Sequence, residues 1–149
     1  LDEATQQAVI GAAQAYVDAA VVAPLNDGAV ADGYDALFDS FVQASAIEAD
    51  RAVLTDEGIP APTASPAVTA TPVRIDALAA PDGSVTLLAT SFNIEITAET
   101  ASGPISVRRA TELTFAAGPD GGWLVTAYRV NVERDLPETG ASTTTAAAG

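Results

Sequence analysis

Apolar positions along the chain change their period near residue 66. Before that point they recur every three or four residues. Val9, Ile10, Ala13, Tyr16, Val17, Ala20 and Val21 share one helical face, while Asp2, Glu3, Gln6, Gln7, Gln14 and Asp18 lie mostly elsewhere. Asp2 is the predicted N-cap, and Pro24 with Asn26-Asp27-Gly28 is the predicted stop. A second helix is expected from Asp32, with Tyr34, Leu37, Phe38, Phe41 and Val42 as its apolar stripe. A shorter helical piece from about Ile47 to Leu54 should end at Gly58. Residues 59–66 contain three prolines in eight positions, which denies them helix and sheet alike.

From there the pattern alternates. Four extended segments are predicted at roughly 67–80, 84–100, 104–117 and 122–134, separated by Asp82-Gly83, Ser102-Gly103-Pro104 and Pro119-Asp120-Gly121-Gly122. In the second, Leu88, Thr90, Phe92, Ile94 and Ile96 oppose Ser91, Asn93, Glu95 and Thr97. In the fourth, Leu124, Tyr128, Val130 and Val132 oppose Arg129, Asn131 and Glu133. The first changes phase at Pro72, so a bulge or bend is expected there. Helices followed by a meander with one apolar face predict an α+β domain, its N-terminal helices packed on a curved four-stranded antiparallel sheet. Residues 1–134 read as that single domain. Residues 135–149 lose all periodicity and read as a flexible, disordered tail.

Composition narrows the chemistry. The chain has 149 residues and a net charge of −14, all six basic residues are Arg, and Lys, His, Cys and Met are absent. The acidity argues against nucleic acid or an anionic membrane as partner. The missing residue types exclude Schiff bases, thiol nucleophiles, imidazole bases, disulfides and nearly all zinc or iron sites. No run approaches the ~18 apolar residues of a membrane span, so no membrane insertion is expected. Of the apolar residues 33 are Ala, which bury little area, so the few aromatic side chains are the expected core anchors. Leu1 stands where a Met would begin a chain, which suggests a signal peptide or tether removed ahead of it.

Two resemblances follow from the residues. An Ala-rich entry helix, Tyr34-Asp35-Ala36-Leu37-Phe38 in the second helix, and long strands closing on Gly121-Gly122-Trp123-Leu124-Val125 resemble the nuclear transport factor 2-like (cystatin-like cone) superfamily. The likeness is to its exported actinobacterial, mammalian-cell-entry-associated members. It implies a cone-shaped pocket between helices and sheet, and a binding or scaffolding role. Leu136-Pro137-Glu138-Thr139-Gly140 resembles the Leu-Pro-X-Thr-Gly signal read by sortases. That resemblance implies attack of a sortase cysteine on the Thr139–Gly140 bond and transfer of the Thr carboxyl to a peptidoglycan amine. Read as a natural signal, rather than an engineered sortase tag or a coincidence of sequence, it implies a chain outside the cell, linked to the wall. With no Lys, the chain cannot be polymerised through its own side-chain amines or stapled by a Lys isopeptide.

Within the strands, Arg109 is the odd residue. Strict alternation with Ile105, Val107, Thr111, Leu113 and Phe115 points it inward, and a buried guanidinium needs a partner. One reading is an anionic ligand held in the cone by Arg109 with Thr111, Tyr16 or Tyr34. The other is a bulge at Arg108-Arg109, or a structural ion pair with a helix carboxylate such as Asp35. Asp32, Asp35 and Asp39 share a helix face, which reads as a solvated acidic surface rather than a calcium patch. No metal site, cofactor or nucleotide motif is expected. The sequence therefore points to an exported, non-enzymatic domain that binds a small ligand or an envelope protein. Two alternatives are a pocket enzyme of isomerase or cyclase type, using Asp35 or Tyr34 with Arg109, and a structural spacer.

Overall fold

A computed structural model describes residues 1–83 and 85–149, the side chains of Val85 and Thr86 excepted. Helix α1 (Glu3–Val17) begins at Asp2, whose carboxylate accepts the Thr5 N–H at 2.7 Å. It does not stop at Pro24. It widens through a π turn (Asp18–Val22) and continues as α2 (Ala23–Asp27), ending at Gly28 with φ +80°. Proline lacks an N–H, so the Ala20 carbonyl four residues earlier loses its helical donor. That carbonyl accepts the backbone N–H of Asp56 instead, at 3.0 Å. By length and composition the helix Glu3–Asp27 is capable of crossing a membrane, which the absence of a long uninterrupted apolar run had hidden. In this fold its apolar face, from Val9 through Tyr16 to Leu25, lies in the core.

The second expected helix is broken. A 3-10 turn (Asp35–Leu37) gives way to an extended Phe38, which bridges Val125 of the sheet. Asp39 donates its N–H to the Val125 carbonyl at 2.8 Å, and its carboxylate caps α3 (Ser40–Ala44) through the Phe41 N–H. Attachment to the sheet therefore outweighs continuation of the amphipathic stripe. As a result Phe38 is buried, while Phe41 is turned outward and is 89% exposed. A second π turn (Ser45–Ala49) leads into α4 (Arg51–Leu54).

The sheet has six strands rather than four. The first expected strand divides into β1 (Ala67–Ala70) and β2 (Arg74–Ala79), which pair with successive stretches of β3 (Val85–Thr100). The break falls at Pro72, and Thr71 holds it by exchanging two 2.9 Å bonds with the Asn93 backbone. The expected strand start at Ser84 lies outside the described residues. Then β3, β4 (Gly103–Ala117) and β5 (Trp123–Leu136) form an antiparallel meander. Alternation on β3 and β4 is as read from the sequence. On β5 a bulge at Thr126 shifts the phase, so Val125 rather than Leu124 joins Tyr128, Val130 and Val132 inside.

The end of the chain is not a disordered tail. Residues Gly140–Ala148 form β6, antiparallel to β5 from Leu136↔Gly140 to Tyr128↔Ala148. Its Ser, Thr and Ala side chains carry no hydrophobic alternation because all but Ala146 and Ala148 are exposed. Backbone pairing to an open neighbour is enough to hold such a strand, and periodicity cannot report it. The sheet is curved and open, with the helices covering one face and the core between them.

Candidate functional site

The residues from Asp50 to Glu57 gather nearly all the buried polar chemistry. A helix as short as α4 leaves its last carbonyls without intrahelical donors. Here the sheet supplies them. Arg109 of β4 donates to the Val53 carbonyl at 2.5 Å, and Arg134 of β5 donates to the carbonyls of Ala52 and Thr55 at 3.0 and 2.8 Å. From α1, the Tyr16 hydroxyl donates to the Leu54 carbonyl at 2.5 Å. The carboxylate of Asp56 follows directly. Its Oδ1 accepts from Arg109 at 2.5 Å and from Arg134 at 3.2 Å.

Two guanidinium groups thus share one carboxylate, and the Arg109 and Asp56 side chains are fully buried. The remaining positive charge faces the carbonyl ends of α4, where the peptide dipoles are negative. Asp56 is held there by its own N–H on the Ala20 carbonyl, the one that Pro24 frees. At the rim, Tyr128 donates to Asp50 at 2.5 Å, and Arg51 pairs with Glu57 at 2.6 Å. Arg51 also stands over the Tyr34 ring, 5.8 Å from its centre.

Burial sets the protonation of this cluster. It pushes the Tyr16 hydroxyl up to about 12, against a partial opposing pull from the Arg109 guanidinium. Burial likewise raises Tyr34 and Tyr128, the latter helped by its bond to Asp50, so none of the three phenols is a base near neutrality. The same desolvation lowers Arg134, partly offset by Asp56. Glu57 lies below its ordinary range because it accepts hydrogen bonds from Arg51.

Of the residues singled out in the sequence, Arg109, Thr111 and Tyr16 do meet on the inner face. They meet in packed core, and Arg109 is bound to Asp56 rather than to Asp35. Asp35 is exposed, and its backbone carbonyl accepts from Gln43. Tyr34 is spent on the Ala46 carbonyl at 3.0 Å. Asp39 caps α3, and among the described residues no group of three or more carboxylates is placed to hold a metal ion. Asp56 and Arg134 were missed. A second inward cation at Arg134 calls for a carboxylate, but Asp56-Glu57 after a helix reads as surface charge and helix-end chemistry.

Thr111 stands two positions from Arg109 on the inner face of β4. Its hydroxyl is buried without a hydrogen-bond partner. Thr111→Val should therefore hold or raise stability by about 1 kcal/mol in urea unfolding, whereas a hydroxyl in use would make the change costly.

The second candidate lies at the far end of β5. Leu136 ends that strand, Pro137-Glu138-Thr139 form the turn, and Gly140 opens β6 with φ +72°. A three-residue hairpin loop closed by a left-handed Gly has this form, so Gly140 serves the turn whatever else it serves. Pro137 packs over Gly103, where a Cβ would lie 3.5 Å from the ring. Residues 137–140 are exposed. Beside the turn is a cleft of about 720 Å³ whose walls include Ala67, Thr97, Ile105, Asp135, Leu136 and Pro137.

No family model, no curated protein and no solved structure matches this chain.

Proposed function

We propose that the chain is an exported domain displayed at a cell surface, joined to the wall through Leu136–Gly140, and that it binds or scaffolds rather than catalyses. The observation that carries this reading is the position of the motif. Its scissile bond, Thr139–Gly140, sits in an exposed turn at the tip of a hairpin, clear of the core. In the reaction, the sortase thiolate attacks the Thr139 carbonyl carbon and the bond to Gly140 breaks. Gly140 leaves as an amine, and a thioester forms. A peptidoglycan amine then displaces the thiolate and forms a new amide. Sortases read the motif extended, so β6 must separate from β5 before the bond enters the enzyme.

The non-enzymatic part rests on the inner cluster. Arg109, the group best suited to stabilise developing negative charge, is already bonded to Asp56 and to the Val53 carbonyl. The helices-on-sheet arrangement is in keeping with a cone-like fold of the nuclear transport factor 2-like kind, used here as a scaffold. The ligand or envelope partner would engage the exposed surface rather than the filled interior.

The test is the intact mass of the protein released by muramidase from walls of its native host. A chain ending at Thr139 and carrying a peptidoglycan fragment is the expected result. An unmodified chain recovered only from medium or membrane would make the motif a turn and nothing more.

A further inference from the structure

We propose that departure of β6 opens the outer edge of β5, and that this edge pairs antiparallel with the same edge of a second copy of the chain, about a two-fold axis at Asn131. The departure is assigned to the cleavage proposed above, and in that respect the inference rests on that reading. The pairing itself depends only on the edge.

Three features of the strand support this. First, β6 is weakly committed to the fold. Of its nine residues Ala146 alone is buried and Ala148 half-buried, so the core keeps every large side chain without it. Second, the scissile bond lies between β5 and β6, so cleavage turns β6 into a separate peptide held by backbone pairing and two alanines. Third, β5 is complementary to itself. In an antiparallel pair centred on Asn131, each Arg129 stands opposite the partner copy's residue at position 133, a Glu, and each Glu133 opposite an Arg. On the inner face Val130 stands opposite Val132. Arg129 and Glu133 are both exposed on the outer face, and β6 offers them only Ala147 and Thr143 as neighbours. Opposite charges and branched apolar residues directly across an antiparallel pair are both favourable, and an open edge with unpaired amides is a template for such pairing. The two-fold arrangement closes on itself and so ends at a dimer.

The full chain provides the test by two routes. In the first, it is incubated with a purified sortase transpeptidase and triglycine, and the product ending Thr139-Gly-Gly-Gly is examined by sedimentation. The expected result is a monomer before cleavage and a doubled mass after it. Excess synthetic peptide of residues 140–149 should return the product to monomer. In the second, Ala146→Asp in the uncut chain places a carboxylate at the buried position of β6, and the same doubling is expected without any enzyme. In both settings Glu133→Arg should abolish the dimer by setting Arg against Arg, and Arg129→Glu with Glu133→Arg should restore it.

The inference is overturned if the cleaved chain and Ala146→Asp both stay monomeric, whether β6 has left or remains bound by hydrogen exchange. It is equally overturned if the dimer survives Glu133→Arg. Failure of the sortase to cut, with Ala146→Asp still dimeric, would remove the wall-linkage reading and leave the edge pairing standing.

Discussion

Asp56→Ala is expected to lower the free energy of unfolding by about 3–5 kcal/mol, a large part of the ~5–15 kcal/mol available to a domain of this size. The reason is not the strength of one ion pair. Among the described residues the Asp56 carboxylate is the single negative charge bonded to Arg109 and Arg134, and the Arg109 side chain has no exposure with which to recover water. Removing the carboxylate strands a guanidinium in the core. Arg109→Met should cost less than Asp56→Ala, because Arg134 still neutralises the carboxylate. The double variant should lose less than the sum of the two, since each change removes the burden left by the other. Urea unfolding followed through the single, half-buried Trp123 measures all three. A loss under about 1 kcal/mol for Asp56→Ala would show that the cluster is solvated and that the helix end is held by packing alone.

Alkaline pH should unfold the protein in a narrow range, and the three tyrosines set where. With no His, Cys or Lys, the side chains offer no group whose ordinary value falls between the carboxylates and the phenols. Stability should therefore change little from about pH 6 to 9. Each phenol is raised in the folded state, so the unfolded chain loses its protons first as pH increases. The contribution of each is complete below the unfolded value near 10 and disappears as pH rises through the folded value, about 12 for Tyr16. Two units correspond to about 3 kcal/mol from Tyr16. Tyr34 and Tyr128 act in the same direction, both raised by burial and Tyr128 also by its bond to Asp50. Phenolate absorbance at 295 nm and far-ultraviolet circular dichroism should change together. A tyrosine that ionises near pH 10 with the fold intact would contradict this account.

Much of this fold is written in periodicity, and what periodicity misses has a common cause. The inner and outer faces of β3 and β4, the N-cap at Asp2 and the break at Pro72 follow from local rules. So does the inward turn of Arg109. Three features depend on contacts distant in sequence, and a fourth on backbone pairing that its side chains do not signal. The helix passes Pro24 because Asp56, 36 residues beyond Ala20, takes the Ala20 carbonyl that proline frees. The second helix breaks because the backbone at Phe38 and Asp39 attaches to Val125. The last strand forms because β5 offers an open edge, with side chains too small to advertise it. The partner of Arg109 is Asp56, 53 residues away. Nothing near either residue in sequence distinguishes that carboxylate from nineteen others.

The shared carboxylate also constrains the order in which the molecule can assemble. The β4–β5 hairpin is local in sequence and can pair while Arg109 and Arg134 are still hydrated. The segment carrying Asp56 must then close a loop of 53 residues to reach Arg109 and one of 78 to reach Arg134. Loss of water from the cations is uphill until the carboxylate arrives, so the last dehydration and the docking of α4 are a single event. An early collapse that trapped the guanidinium groups dry would have to reopen. The charges that hold the finished core thus also reject premature ones.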